Sequence, residues 1–190
     1  MCIINVNGDS KTQKCYTTQN RNENFPFSLE TEDYEVFFHG TSHDHARNII
    51  DRGIDLTKGD NLKDFSDGGG FYLAKQFVWK NKWASNRPPV SAVLVFRVRS
   101  ADLREGREAL DLQRDEDQWK SVIKTFRSGK STEQFQQYEF IEGPMSSISR
   151  GNQSLCNPTF HSDTYQLCVK HKSCAELFDR SLHSAVFFQC

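Results

Sequence analysis

A chain of 190 residues, 26% of them charged but with a formal net charge of only -1, can bury an ordinary core in one domain without metal or disulfide staples. So balanced a charge creates no field that would draw the protein to nucleic acid or to an anionic membrane. No apolar run approaches the ~18 residues of a membrane-spanning helix, and the N-terminal MCIINVNGDSKTQK lacks the basic and apolar regions of a secretory leader. A soluble intracellular protein, cytoplasmic or nuclear and with no membrane partner, is expected.

Residues 1–32 are rich in Asn, Thr, Gln, Lys and Glu without apolar periodicity, which predicts a polar N-terminal arm and leaves one domain over 33–190. YEVFFHG, from residue 34, reads as a strand ended by glycine. A helix follows, with Ser42 as its cap, Ala46, Ile49 and Ile50 at helical spacing, and Gly53 at its C-terminal end. The polar loop TKGDNLKDFSDGGG leads into a strand, FYLA, at 71–74. KQFVWKNKWASN, with Trp79 and Trp83 four residues apart, is predicted to be a helix ended by RPP.

VSAVLVFRV, at 90–98, is a near-continuous β-branched and aromatic run and predicts a central strand covered on both faces. Residues 115–129 carry a helix signal: Asp115 as N-cap, Trp119, Val122, Ile123 and Phe126 as the buried stripe, Arg127 late and Gly129 closing. QYEFIEGP reads as a strand stopped by Gly143 and Pro144, and 145–163 as a long surface loop. The strand YQLCVK, a short helix SCAELFDRS capped by Ser173 and the strand SAVFF complete the chain. The class is α+β, with five or six short strands.

The six cysteines form no CxxC pair and no ladder, so they read as reduced thiols. Cys156, His161, Cys168, His171 and Cys174 are close enough in sequence to supply zinc ligands. The alternation of QLCVK, however, sends Cys168 and His171 to opposite faces. Three polar side chains hold strand positions: His39 ends the first strand, Tyr72 lies inside FYLA, and Gln166 opens YQLCVK. The plain reading of each is structural: a satisfied histidine, a core tyrosine, a surface glutamine. Gly68, Gly69 and Gly70 precede a strand rather than a helix N-terminus, so they are no nucleotide-phosphate loop. Glycine there lets backbone approach a flat ligand or a neighbouring strand.

Taken together, FFHGTSHDHARNIIDRGIDL, DFSDGGGFYLAKQFVWKNKWA, AVLVFRV, YEFIEGPMS and YQLCVKHKSCAELF resemble the ADP-ribosyltransferase superfamily, on its diphtheria-toxin and poly(ADP-ribose) polymerase side. They are more closely similar to a small family within it, patterned as HGT, a helix ending in GI, DFG-GFY, a tryptophan-alanine helix and a strand ending in GP. The resemblance spans roughly residues 34–188. It implies a split, mixed β-sheet fold that holds NAD in a cleft. His39 would bond the adenosine ribose, the Gly40 backbone would hold the nicotinamide carboxamide with Thr41 supporting the turn, and Tyr72 would stack on the nicotinamide ring. Gly70 would let backbone come close to that ring.

The third position departs from the pattern. Relatives usually carry Glu there, on the nicotinamide ribose, and this chain has Gln166, which can form the hydrogen bond without supplying charge. Glu139 and Glu142, on the preceding strand, are the carboxylates that could compensate, and their odd spacing lets at most one point into a cleft. The implied activity is NAD-dependent mono-ADP-ribosyl transfer, with nicotinamide release, to an unknown acceptor: protein, nucleic acid or small molecule. Without the elongating glutamate, no polymer is expected. The alternatives are an NAD glycohydrolase and a catalytically weak or inactive module that binds NAD or ADP-ribose.

Overall fold

The computed structural model describes residues 1–7, 15–17, 29–59, 63–78, 92–128, 132–147, 159–160 and 163–189. In chain order the strands are β1 (Cys2–Asn7), β2 (Cys15–Thr17), β3 (Tyr34–Thr41), β4 (Phe71–Ala74), β5 (Gln76–Val78), β6 (Ala92–Arg99), β7 (Ala109–Asp111), β8 (Phe140–Gly143), β9 (Ser146–Ser147), β10 (Thr159–Phe160), β11 (Gln166–Val169) and β12 (Leu182–Gln189). The helices are α1 (His43–Arg52), α2 (Ser100–Arg104), α3 (Glu116–Arg127) and α4 (Lys172–Arg180). The class is α+β with mixed strand pairing. Among the described residues no helix is long and apolar enough to cross a membrane. The chain divides into two compact units: Met1–Ile54 with Ala74–Glu105 and Glu176–Cys190, and Asp55–Leu73 with Gly106–Ala175.

In the first unit the strand order is β1-β12-β6-β3. β6 pairs antiparallel with both β12 and β3, and β1 runs parallel to β12. The apolar run of β6 is buried on both faces, as its sequence predicts. Val93 and Val95 cluster with Val36, Phe38, Val186 and Phe188. Phe96 and Phe37 instead meet the Phe178 ring edge-on, with centroids 5.8 and 5.5 Å apart. Helix α1 is capped as its sequence specifies: Ser42 Oγ accepts the His45 N–H at 3.3 Å. Gly53 ends it at φ 82°, and a Cβ there would fall 2.7 Å from Asp179 Oδ2. The Asp179 carboxylate in turn accepts the Ile54 N–H at 2.9 Å.

Two expectations are corrected in this unit. Cys2–Asn7, expected within an irregular polar arm, is strand β1, paired with the far end of the chain. Such a partner is supplied by tertiary structure and leaves no local signal. Gln76–Val78, expected to open a helix, is β5, paired antiparallel with β2. Trp79, Trp83 and RPP, the rest of that expected helix, lie outside the described residues.

In the second unit β7 lies parallel to β8, and β8 antiparallel to β11. Helix α3 begins at an Asp115 cap, whose carboxylate accepts the Gln118 N–H at 2.9 Å. It buries Trp119, Val122, Ile123 and Phe126 against Phe65, Leu112, Ile141 and Cys168. Four such side chains, at about 1.5–3 kcal/mol each, make this stripe the main apolar anchor of the helix. Ser128 ends α3; Gly129, expected to close it, lies outside the described residues. The expected loop over 145–163 contains a short antiparallel pair, β9 with β10. Helix α4 starts at Lys172, so Ser173 is not its cap: it sits inside the helix and donates to Glu139 Oε2 at 2.6 Å.

Candidate functional site

His39, Gly40 and Thr41 belong to the first unit. They close β3, where they pair with Leu94, Val93 and Ala92 of β6. β3 is buried through Val36, Phe37 and Phe38 and then opens: His39 and Thr41 are half-buried and Gly40 is exposed. The chain turns directly into α1 from this accessible end. His39 therefore stands on a rigid strand end, where a positioned side chain costs little further ordering.

Gly70, Tyr72, Glu139, Glu142 and Gln166 belong to the second unit. Gly70 has φ 151°, and a Cβ on it would meet Cys168 Sγ at 2.7 Å and Ser66 Cβ at 3.0 Å. Within this unit the glycine thus serves a close approach to β11 and to the Ser66 loop. The Tyr72 hydroxyl accepts the Phe65 N–H at 2.9 Å and bonds Ser66 Oγ at 3.1 Å, while its ring packs against the core cluster around α3. Burial, and then Cys168 beside it, push the phenol well above its ordinary value, so it acts here as a neutral group. Burial likewise pushes the Cys168 thiol up to about 12.

Gln166, at the start of β11, is 8% exposed. Its Nε2 donates to Asp64 Oδ2 at 2.8 Å and to the Pro144 carbonyl at 3.2 Å. Asp64 is the hub of a polar network that the sequence reading missed. Its Oδ1 accepts from Arg127 Nη2 at 2.5 Å and from Ser146 Oγ at 2.9 Å, and its Oδ2 also accepts the Ser146 N–H at 3.1 Å. Arg127 reaches Ser146 Oγ as well, and Trp119 Nε1 donates to the Pro144 carbonyl at 2.9 Å. One carboxylate thus ties the end of α3, β9 and the start of β11 together, with both of its oxygens hydrogen-bonded. A network satisfied in this way is rigid and expensive to disturb.

The two glutamates do not join it. Gln166 pairs with Gly143 and Leu167 with Glu142, so Gln166 and Glu142 project from opposite faces of the sheet. Glu142 is 2% exposed and accepts the Tyr165 hydroxyl. Glu139 precedes β8 and binds Arg107 and the Ser173 hydroxyl. Neither carboxylate stands beside the Gln166 amide. Among the described residues no three His, Cys, Asp or Glu are grouped to hold a metal. His171 bonds the Gln136 carbonyl at 2.6 Å, and Cys156 and His161 lie outside the described residues.

A local signal for Asp64 existed, an acidic residue between a polar loop and a phenylalanine in KDFSDGGG, but nothing in the sequence places its partners Arg127, Ser146 and Gln166 around it. No protein-family model matches this chain, and no curated protein and no solved structure matches it either.

Proposed function

We propose that the chain is an NAD-dependent mono-ADP-ribosyltransferase with the split mixed sheet of that superfamily, acting in the cytoplasm or nucleus. In this reaction the bond between ribose and nicotinamide breaks, an acceptor nucleophile takes the anomeric carbon and loses its proton, and nicotinamide leaves. The observation that carries the reading is the joint occurrence of HGT at the accessible end of β3 and GGGFY entering β4. The candidate binding residues of this reading are His39 and Gly40 in the first unit and Tyr72 and Gln166 in the second, with Gln166 in the role of the ribose contact. A neutral amide stabilises a developing sugar cation less than a carboxylate does, so the chemistry is slow.

A second reading, a module that binds NAD or ADP-ribose without cleaving it, is favoured by one feature: Gln166 is bound to Asp64, and neither Glu139 nor Glu142 stands beside it. Incubation with adenine-labelled NAD and cell extract separates the cases. Transfer of label to an acceptor with nicotinamide release supports the transferase. Free ADP-ribose alone supports a glycohydrolase, and bound but intact NAD supports the module.

A further inference from the structure

We infer that Asp64 is a positioning residue that locks the Gln166 amide with its oxygen toward solvent, so that this position offers a ligand a neutral hydrogen-bond acceptor in one fixed orientation. Only the identity of the ligand, a ribose hydroxyl of NAD, rests on the function proposed above.

The orientation follows from the partners. Asp64 Oδ2, at 2.8 Å, and the Pro144 carbonyl, at 3.2 Å, are both acceptors, so only the NH2 group of Gln166 can face them. Neither partner is free to turn. Asp64 is held by Arg127 and by the Ser146 hydroxyl and N–H, and the Pro144 carbonyl by the Trp119 indole. The two amide hydrogens are consumed, and no group among the described residues donates to Oε1. Because no buried side-chain nitrogen or oxygen among the described residues lacks a partner, that oxygen reaches solvent. What it seeks there is a donor, and a sugar hydroxyl is one.

Asp64→Asn removes this preference. With its oxygen kept on Arg127 and the Ser146 hydroxyl, the new NH2 meets the Gln166 NH2, donor against donor. Turning Gln166 over would relieve that clash only by setting its oxygen against the Pro144 carbonyl, so neither orientation satisfies both partners and the amide is no longer locked.

The test uses the full chain. In nitrogen-15 spectra, the wild-type Gln166 side-chain NH2, assigned by its loss in Gln166→Ala, is expected to exchange with water at least about tenfold more slowly than a free amide, and Asp64→Asn to shift it and restore fast exchange. Calorimetry then compares NAD with an analogue deoxygenated on the nicotinamide ribose. Wild type should favour NAD by about three- to tenfold, the range of one hydrogen bond. Asp64→Asn should reduce that discrimination, because the amide no longer holds one orientation; a purely structural role would weaken both ligands alike. Fast exchange of the wild-type amide, which needs no variant, overturns the inference, as does unchanged discrimination in a folded Asp64→Asn. Absence of NAD binding by wild type refutes the proposed function instead, and the exchange experiment then still decides whether Asp64 fixes the amide.

Discussion

Replacing Gln166 with Glu puts a carboxylate oxygen where Nε2 now sits, 2.8 Å from Asp64 Oδ2 and 3.2 Å from the Pro144 carbonyl. If both carboxylates stayed ionised, their repulsion at an effective dielectric of about 20 would be about 6 kcal/mol. Protonating one is cheaper. Raising a carboxyl from its ordinary value of about 4.3 to beyond about pH 7.5 costs about 4 kcal/mol, and at about pH 5 only about 1 kcal/mol. The protonated variant can still donate to Asp64, so its penalty is chiefly this proton cost. The sign follows: the pair's folded-state pKa is raised above the unfolded value, so the stability it contributes is present at low pH and lost as pH rises. Thermal unfolding of wild type and Gln166→Glu at about pH 5 and about pH 7.5 should show a gap that widens by about 3 kcal/mol, or about 6–12 °C for a chain of this size. A gap that does not change with pH would refute the reasoning. The same geometry withholds the catalytic gain expected of an added carboxylate, because near neutrality the pair carries a single negative charge.

Burial raises the Glu35 pKa, but hydrogen bonds from Arg104 and Lys75, each 2.8 Å, and their charges outweigh it and hold the carboxyl down from 4.5 to about 2. That contribution, at most about 3 kcal/mol and less where water screens the third-exposed Arg104, is complete above about pH 4.5 and lost as pH falls toward 2. Glu35→Gln should therefore unfold below wild type at about pH 7 and converge with it in acid. Gly70→Ala should lose about 1–3 kcal/mol in urea unfolding through contact with Cys168 and Ser66, while Gly69→Ala, whose nearest contact is an ordinary 3.5 Å, should lose little; equal effects would refute the close-approach argument. With a thiol-alkylating reagent and native protein, Cys2 should label and Cys168 and Cys174, both raised to about 12 by burial, should not until the chain unfolds. His39→Ala should cost about 1 kcal/mol of NAD affinity by calorimetry with the melting temperature unchanged.

Elements whose stability is local were legible. The buried run of β6 and the capped, striped helices α1 and α3 carry their own patterns, because each contributes a face to a core and a cap to its own backbone. β1 and the edge pair β2 and β5 were not legible, since a short strand is defined by the partner that completes its hydrogen bonds. Ser173 was misplaced for a related reason: its hydroxyl serves Glu139, which is distant in sequence. At the candidate site the strand positions were legible and the side-chain partners were not. Strand position and residue type single out His39, Tyr72 and Gln166, but the direction of an amide depends on its acceptors. Asp64 lies 102 positions from Gln166.

The measurement closest to the central claim is titration of the full chain with NAD, with nicotinamide quantified in the same samples over hours. The account predicts saturable binding, weakened by His39→Ala, and a slow release of nicotinamide that acceptor-containing extract accelerates. No binding of NAD by folded wild-type protein would contradict it.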